Sequence, residues 1–376
     1  MSKKVRLSVS LALVLLMGWS VPGLSQLSNP ISARSVNYKT VFDDPYDLNQ
    51  LWIMFSPLSV NASGGNLVIG YDLRTRILLG KKVQLTGSYS GPWSKSTDHT
   101  RNLATENGSV NWRGKGERRD HTSALTNRFI AFTLVELGGQ FHVLDKEKKS
   151  TSKIMLTSKK ARVMEFTSAD YITVNSKNRH IWAGRFGGQL QGSTVALNPI
   201  LKDQDLTLKA DNGLTLLPNG KTICPDGTES LVGSNQLFTS MQYVSAYVGG
   251  GYMLIRNVSI KADKFGNLAN NICLNAFADV MFAPNIQLAN LLVQKDGGGQ
   301  ADVPVDGVKL NKLGFRAGFD VFYNQDLFYA FGAEAGLRPG LSGQQFYVAG
   351  RFSFPALSFK VKRNRLANQL NASQSN

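Results

Sequence analysis

The chain has 376 residues, with 42 Lys and Arg against 26 Asp and Glu, a net charge of +16 and 36 glycines. The basic excess is dispersed over loops and a C-terminal tail, not gathered on one helix face or around an RNA-binding motif, which argues against nucleic acid as a partner. Anionic lipid head groups, polysaccharide or other proteins are the partners such a charge would meet.

The N-terminus opens on the basic run "MSKKVR", followed by the apolar "LSVSLALVLLMGWSV" and the small residues Gly23 and Ser25. This is the order of a cleaved export signal, so residues 1–25 are expected to be removed and Gln26 to begin the mature chain. Residues 26–49 read as a lead-in segment. Past residue 26 no apolar run approaches the ~20 residues of a membrane-spanning helix. The mature chain is therefore either a soluble exported protein or a β-barrel.

From residue 50 onward a period of two recurs. "NLVIGYDLRTRILL" sets Leu67, Ile69, Tyr71, Leu73 and Ile77 against Asp72, Arg74 and Arg76. "KKVQLTGSYSG" sets Leu85 and Tyr89 against Gln84, Thr86 and Ser88, and "HIWAGRFGGQLQG" sets Trp182, Phe186 and Leu190 against Arg185 and Gln189. "NICLNAFADVMF" sets Ile272, Leu274, Val280 and Phe282 against Asn275 and Asp279. "RAGFDVFYNQDLFYAFGAEAGLR" is a hairpin with Phe319, Val321, Phe331 and Leu337 on one rank and Arg316, Asp320, Glu334 and Arg338 on the other. "QQFYVAGRFSF" sets Phe346, Val348, Phe352 and Phe354 against Arg351. "QLWIMFSPLSV", "RFIAFTLVELGGQFHVL" and "YVSAYVGGGYMLIRN" are strand-like in composition but apolar on both faces or irregular.

These segments number about ten, and most reach the ~10 residues that cross a bilayer at a barrel's tilt, where soluble strands average five or six. Short turns fall near 78–81, 259–268 and 324–326. Long polar connections fall at 92–127, 193–242 and 284–307. Short turns at one end and long loops at the other is the pattern of an outer-membrane barrel. The expected fold is all-β: a closed antiparallel transmembrane β-barrel of about ten strands (eight to twelve) over residues 50–357, both ends of the chain on the same side. Residues 145–178 interrupt the rhythm as a Lys-rich insertion, expected to be a small water-facing β elaboration. Residues 358–376 form a basic tail.

In this register Asp72, Arg74, Arg76, Arg185, Asp279, Arg316, Asp320, Glu334 and Arg338 line the lumen, either as a constriction that sets a solute preference or as a network that fills a narrow bore. Trp52, Tyr89, Trp93, Trp182, Tyr323 and Tyr347, near strand ends, suit interfacial girdles. Cys224 and Cys273 are left open as a disulfide, which an exported chain permits. His99, His121, His142 and His180 have no metal-ligand spacing. No G-x-S-x-G or other triad signature occurs, and His142 would serve a hydrolase on the outer wall only with a serine beside it. Neither catalysis, a metal nor a cofactor is expected.

"LGFRAGFDVFYNQDLFYAFGAEAGLRPG" and the closing "FYVAGRFSF", with its aromatic end, resemble the small porin-like outer-membrane β-barrel proteins common among Bacteroidota. The resemblance is one of architecture over most of the chain. It implies the cell outer membrane of a Gram-negative envelope, contact with outer-membrane lipid, and porin-like passage of small solutes or a surface scaffold role. The chain departs from the simplest pattern by continuing through "KVKRNRLANQLNASQSN". The rival is a soluble secreted β-sandwich that binds carbohydrate or a protein partner. It requires Phe319 and Phe331 to pack between two sheets.

Overall fold

The computed structural model describes residues 36–359, apart from 49, 80–81, 106–107, 113–120, 161–166, 210–214, 218–220, 224–228, 232–236, 264, 295–299, 306 and 324–328. The stretch 1–25 expected to be an export signal, the rest of the expected lead-in to residue 35 and the tail from 360 lie outside these residues.

Ten strands close into one antiparallel barrel. In chain order they are β1 (Leu51–Ser63), β2 (Asn66–Leu79), β3 (Val83–Pro92), β4 (Thr133–Lys160) and β5 (Thr167–Ala196). The second half is β6 (Phe238–Ala262), β7 (Gly266–Leu288), β8 (Leu313–Tyr323), β9 (Ala330–Leu337) and β10 (Phe346–Phe359). Each pairs with its sequence neighbours, and β10 returns to β1 to close the ring. One end carries both termini of the barrel and the short connections at 80–82, 263–265 and 324–329; the other carries the long segments 93–132, 197–237 and 289–312. Gly64–Gly65 and residues 338–345 keep the wall low at the long-loop end where β1, β2, β9 and β10 meet.

The alternation decides which face meets which medium. Leu58, Leu73, Leu85, Leu137, Phe186, Val248, Val280, Phe315, Phe331 and Phe354, one from each strand in turn, are exposed on the outer wall. A monomeric soluble protein rarely exposes more than a few hundred Å² of contiguous apolar surface; here an apolar belt encircles the barrel. Phe319 and Phe331 lie on that wall at 36% and 41% exposure, edge to face with their rings 6.1 Å apart. They are not clamped between sheets, which removes the sandwich.

Register breaks where proline forces it. Pro57 lacks an N–H for the ladder, and β1 bulges there, its pairing with β10 skipping between Phe55 and Leu58. The bulge inverts parity along β1. Trp52, Met54 and Ser56 point inward before it, and Asn61 points inward after it. An unbroken register from Asn61 would have turned Trp52 outward.

Four strands are far longer than a bilayer needs: β4 has 28 residues, β5 30, β6 25 and β7 23, against ~10 for a crossing. Their surplus leaves the barrel at the short-turn end as two hairpins. The Lys-rich stretch 145–178 is thus no separate elaboration. It continues the β4–β5 pairing from Asp145↔Ile181 to Lys160↔Thr167, with one register shift between Met155 and Thr157. An N-terminal strand, Tyr38–Asp43, adds to the projecting end of β6, from Tyr38↔Ala262 to Asp43↔Val258. Ile154 and Val174 of one hairpin pack on Val258, Ile260 and Ala262 of the other, a small two-layer core outside the barrel.

From Asp43 the chain must reach β1, which sits opposite β6, five strands away in either direction round the ring. Residues 44–50 therefore cross the mouth of the barrel. Asn257, fully buried on β6, donates through Nδ2 to the carbonyls of Asp44 and Asp47, both at 3.0 Å. The Arg179 guanidinium stacks 4.5 Å from the centre of the Tyr46 ring.

Candidate functional site: the lumen

Small and polar residues alternate along the inward ranks, and their side chains group in three layers, with a cavity lined by Arg74, Gln140, Asn275 and Glu334 remaining beside the middle one. The middle layer is charged. Arg185 of β5 grips Asp279 of β7 through Nε and Nη2, at 2.9 and 3.2 Å. Arg316 of β8 donates to the same carboxylate at 3.0 Å and, through Nη1 and Nη2, to Glu136 of β4 at 2.7 and 2.8 Å. Asp320, also on β8, receives Arg351 of β10, Arg74 of β2 at 3.2 Å and, less closely, Arg76 at 3.9 Å. Arg74 also holds Asp72 at 2.9 Å, and Ser90 donates to the other oxygen of Asp72 at 2.5 Å. Glu334 lies 3.7 Å from both Arg338 and Arg351.

Two of these links span the bore. β8 is four strands from β4 one way round the ring and four from β2 the other way, so Arg316–Glu136 and Asp320–Arg74 reach across the lumen. The guanidiniums also stack on aromatic faces: Arg338 on Tyr347 at 3.6 Å, Arg185 on Phe277 at 4.3 Å and Arg316 on Tyr247 at 4.5 Å. A cation held over a ring and against a carboxylate is fixed in position as well as neutralised.

Tyr247 has its place because two glycines make room. A Cβ on Gly138 would lie 2.0 Å from the Tyr247 hydroxyl oxygen, and one on Gly187 2.5 Å from it. Its hydroxyl bonds Glu136. Gly138 and Gly187, the first glycine of "ELGG" and of "FGG", are therefore a slot for this ring.

Towards the short-turn end the lumen turns apolar. Trp52, Met54, Ile181, Met253, Ile255, Cys273, Phe322 and Ala330 pack together, with Leu48 of the crossing segment against them. Towards the loop end, the short helix Asn198–Gln204 and strands of the long loops bring Leu197, Ile200, Leu201, Leu208, Leu216, Val303 and Leu341 into one cluster over Met241 and Tyr243.

The nine charged positions read from the sequence lie in or beside the middle layer. Glu136 and Arg351 complete it and are missing from that reading. Glu136 sits in a stretch that looks apolar throughout; the inward sequence Leu134, Glu136, Gly138, Gln140, His142 carries the signal. Arg351 stands opposite Phe352 in the closing strand, and its parity alone places it inward. Among the aromatics, Tyr89, Trp93 and Trp182 are exposed on the outer wall. Two others are corrected: Trp52 is inside, edge-on to Phe322 at 5.8 Å, and Tyr347 is inside beneath Arg338. The Pro57 bulge explains the first; a guanidinium partner explains the second. The Tyr323 side chain and Cys224 lie outside the described residues, while Cys273 is buried in the apolar layer near the short-turn end.

His142 is buried inside the barrel, not on the outer wall where a hydrolase arrangement would need it. His180 is on the outer wall and shares a 2.6 Å hydrogen bond with the Tyr252 hydroxyl. His99 opens a short loop helix, and the His121 side chain lies outside the described residues.

No family model matches the chain, and no curated protein matches it significantly. Among solved structures, a mutant of the monoaromatic hydrocarbon channel TodX aligns over 82% of this chain and 90% of its own at 11% identity and a TM-score of 0.18. The Pseudomonas (P. putida) toluene transporter TodX aligns over 85% and 92% at 9% identity and 0.18. A loop-deletion mutant of OmpT, an outer membrane protein of Vibrio cholerae, aligns over 82% and 100% at 8% identity and 0.14. Likenesses at these scores carry no argument. The fold rests on the strand pairing of this chain.

Proposed function

We propose that this chain is an outer-membrane β-barrel, its short-turn end in the periplasm, whose bore is closed at rest and which serves as an envelope scaffold. It would present basic loops outside and a rigid β extension inside. The belt of exposed side chains around all ten strands supports the membrane setting, since a bilayer is the solvent that rewards it. The closing strand, rich in aromatics, supports assembly there. The observation that carries the scaffold role is the obstructed lumen: ion pairs cross it, and a crossing segment backs an apolar layer beneath them. Outer-membrane lipid is the first partner of such a wall, with surface polysaccharide or envelope proteins at the loops and the extension.

The test is planar-bilayer recording on protein shown to be folded by heat-modifiable gel migration. Silent membranes are expected. Stepwise conductance from the wild-type chain would overturn the scaffold reading and leave porin-like passage of small solutes. One observation favours that second reading. Side-chain atoms of Arg76, Gln140 and Asn275 are buried without a protein hydrogen-bond partner, the chemistry of a hydrated path beside the ion pairs.

A further inference from the structure

Where β4, β5 and β6 leave the barrel at the short-turn end, their outward residues form three successive rows. The pairing sets Leu144 beside Trp182 and Trp182 beside Tyr252. The next row is Lys146, His180 and Leu254, and the third is Lys148, Asn178 and Arg256. The first row is apolar and aromatic. Leu144 and Trp182 are exposed, and the Trp182 and Tyr252 rings stand 4.9 Å apart. The third row is basic. Within four residues along each strand, the wall passes from a surface suited to acyl chains to one suited to anions.

The carboxylates of this stretch do not neutralise it. Asp145 turns inward to bind Arg179 through both oxygens, at 2.7 and 2.6 Å, and Glu147 lies 3.4 Å from Lys177 on the opposite face of the ribbon. Among the described residues, no ion pair engages Lys146, Lys148 or Arg256. The Arg256 guanidinium donates through Nε to the Asn178 amide oxygen at 3.2 Å. His180 is held by Tyr252 at 2.6 Å, at the boundary between the rows.

We infer that this face binds the phosphate of an anionic phospholipid of the periplasmic leaflet, with Lys146, Lys148 and Arg256 on the head group and its acyl chains along Leu144, Trp182 and Tyr252. The site rests on the membrane reading above. It goes beyond a general attraction between a basic chain and a lipid surface, because it places one head group on one side of the barrel. A soluble phosphate would lack the apolar row, which is why a lipid is the occupant.

The test compares wild type with a Lys146→Ser, Lys148→Ser, Arg256→Gln variant. Both are reconstituted and shown to be heat-modifiable, then exposed to equal phosphatidylglycerol and phosphatidylcholine, with retained lipid counted by native mass spectrometry. Each basic residue near an anionic surface contributes ~1 kcal/mol, so the variant's preference for phosphatidylglycerol should fall by about a hundredfold. Inorganic phosphate should not displace the lipid from wild type. Equal preference in the two proteins would overturn the site even though both remain inserted, and displacement by inorganic phosphate would make it a soluble-anion site instead. A chain that never enters bilayers would sink the membrane reading and this site together. A variant in which the same substitutions are made at Lys39, Lys261 and Lys309, exposed basic residues away from the three rows, should keep the wild-type preference.

Discussion

Arg316 and Glu136 meet across the full width of the barrel, two N–H groups on two carboxylate oxygens at 2.7 and 2.8 Å. They come from strands separated by 180 residues of chain, so neither hairpin alone contains the pair. Removing one member leaves a charge in the lumen without its counter-ion. Arg316→Met should cost about 3–5 kcal/mol, read as a lowered urea midpoint for the protein in vesicles. Adding Glu136→Gln should recover part of that loss. If the single variant is as stable as wild type, the pair is not a structural bolt.

Both faces of β8 should reject an arginine, for different reasons. Phe319→Arg places a cation in the apolar belt and should cost about 2–4 kcal/mol near mid-depth. From the sequence, Gly318→Arg is tolerated if the lumen has room, but there is none. A Cβ there would lie 2.6 Å from the Ala333 carbonyl and 2.8 Å from Glu334 and Phe277. Even Gly318→Ala should destabilise by about 1–3 kcal/mol through overpacking, measured by the same unfolding titration.

Gly138→Ala and Gly187→Ala should expel the Tyr247 ring from its slot and detach its hydroxyl from Glu136. The expected cost is again about 1–3 kcal/mol, with a change in near-ultraviolet circular dichroism from the displaced tyrosine. A Gly187→Ala, Tyr247→Ala double variant should recover stability relative to Gly187→Ala alone, if steric conflict with this ring is the cause.

Asn257→Ala removes both hydrogen bonds to the segment that crosses the mouth. The loss should be about 1–3 kcal/mol and local: faster proteolysis within residues 44–50 while the barrel still migrates as folded. In a Cys224→Ser background, Cys273 should react slowly with a maleimide in the parent protein and faster when Asn257 is replaced, because Leu48 and the Cys273 thiol share one apolar cluster. Equal thiol reactivity would show that the segment does not cover the lumen.

Much of the barrel was legible because a period of two carries both the element and its face. The ranks of β2, β7, β8 and β9 read from the sequence are those seen, charge for charge. Misreadings cluster where a second effect enters. One proline inverts the parity of β1 and so the side of Trp52. Tyr347 shares the inward parity of Arg351 and stacks beneath the Arg338 guanidinium, although it stands near a strand end. Along β4 and β6, both faces are apolar or small, and only pairing partners distinguish lumen from belt; Glu136 was lost there. The crossing segment could not be read at all, because its position depends on which strands stand opposite, a property of ring closure and not of local pattern.

The lengths of β4 and β5 have a mechanical consequence. A paired ribbon from Lys146 to Lys160 extends about 50 Å at the usual rise per residue, braced about halfway along by the packing of Ile154 and Val174 on the neighbouring hairpin. A flexible linker of equal length would explore a broad volume. This ribbon instead acts as a spacer, setting the stand-off at which anything gripping its far end is held from the barrel mouth and turning with the barrel when the barrel turns.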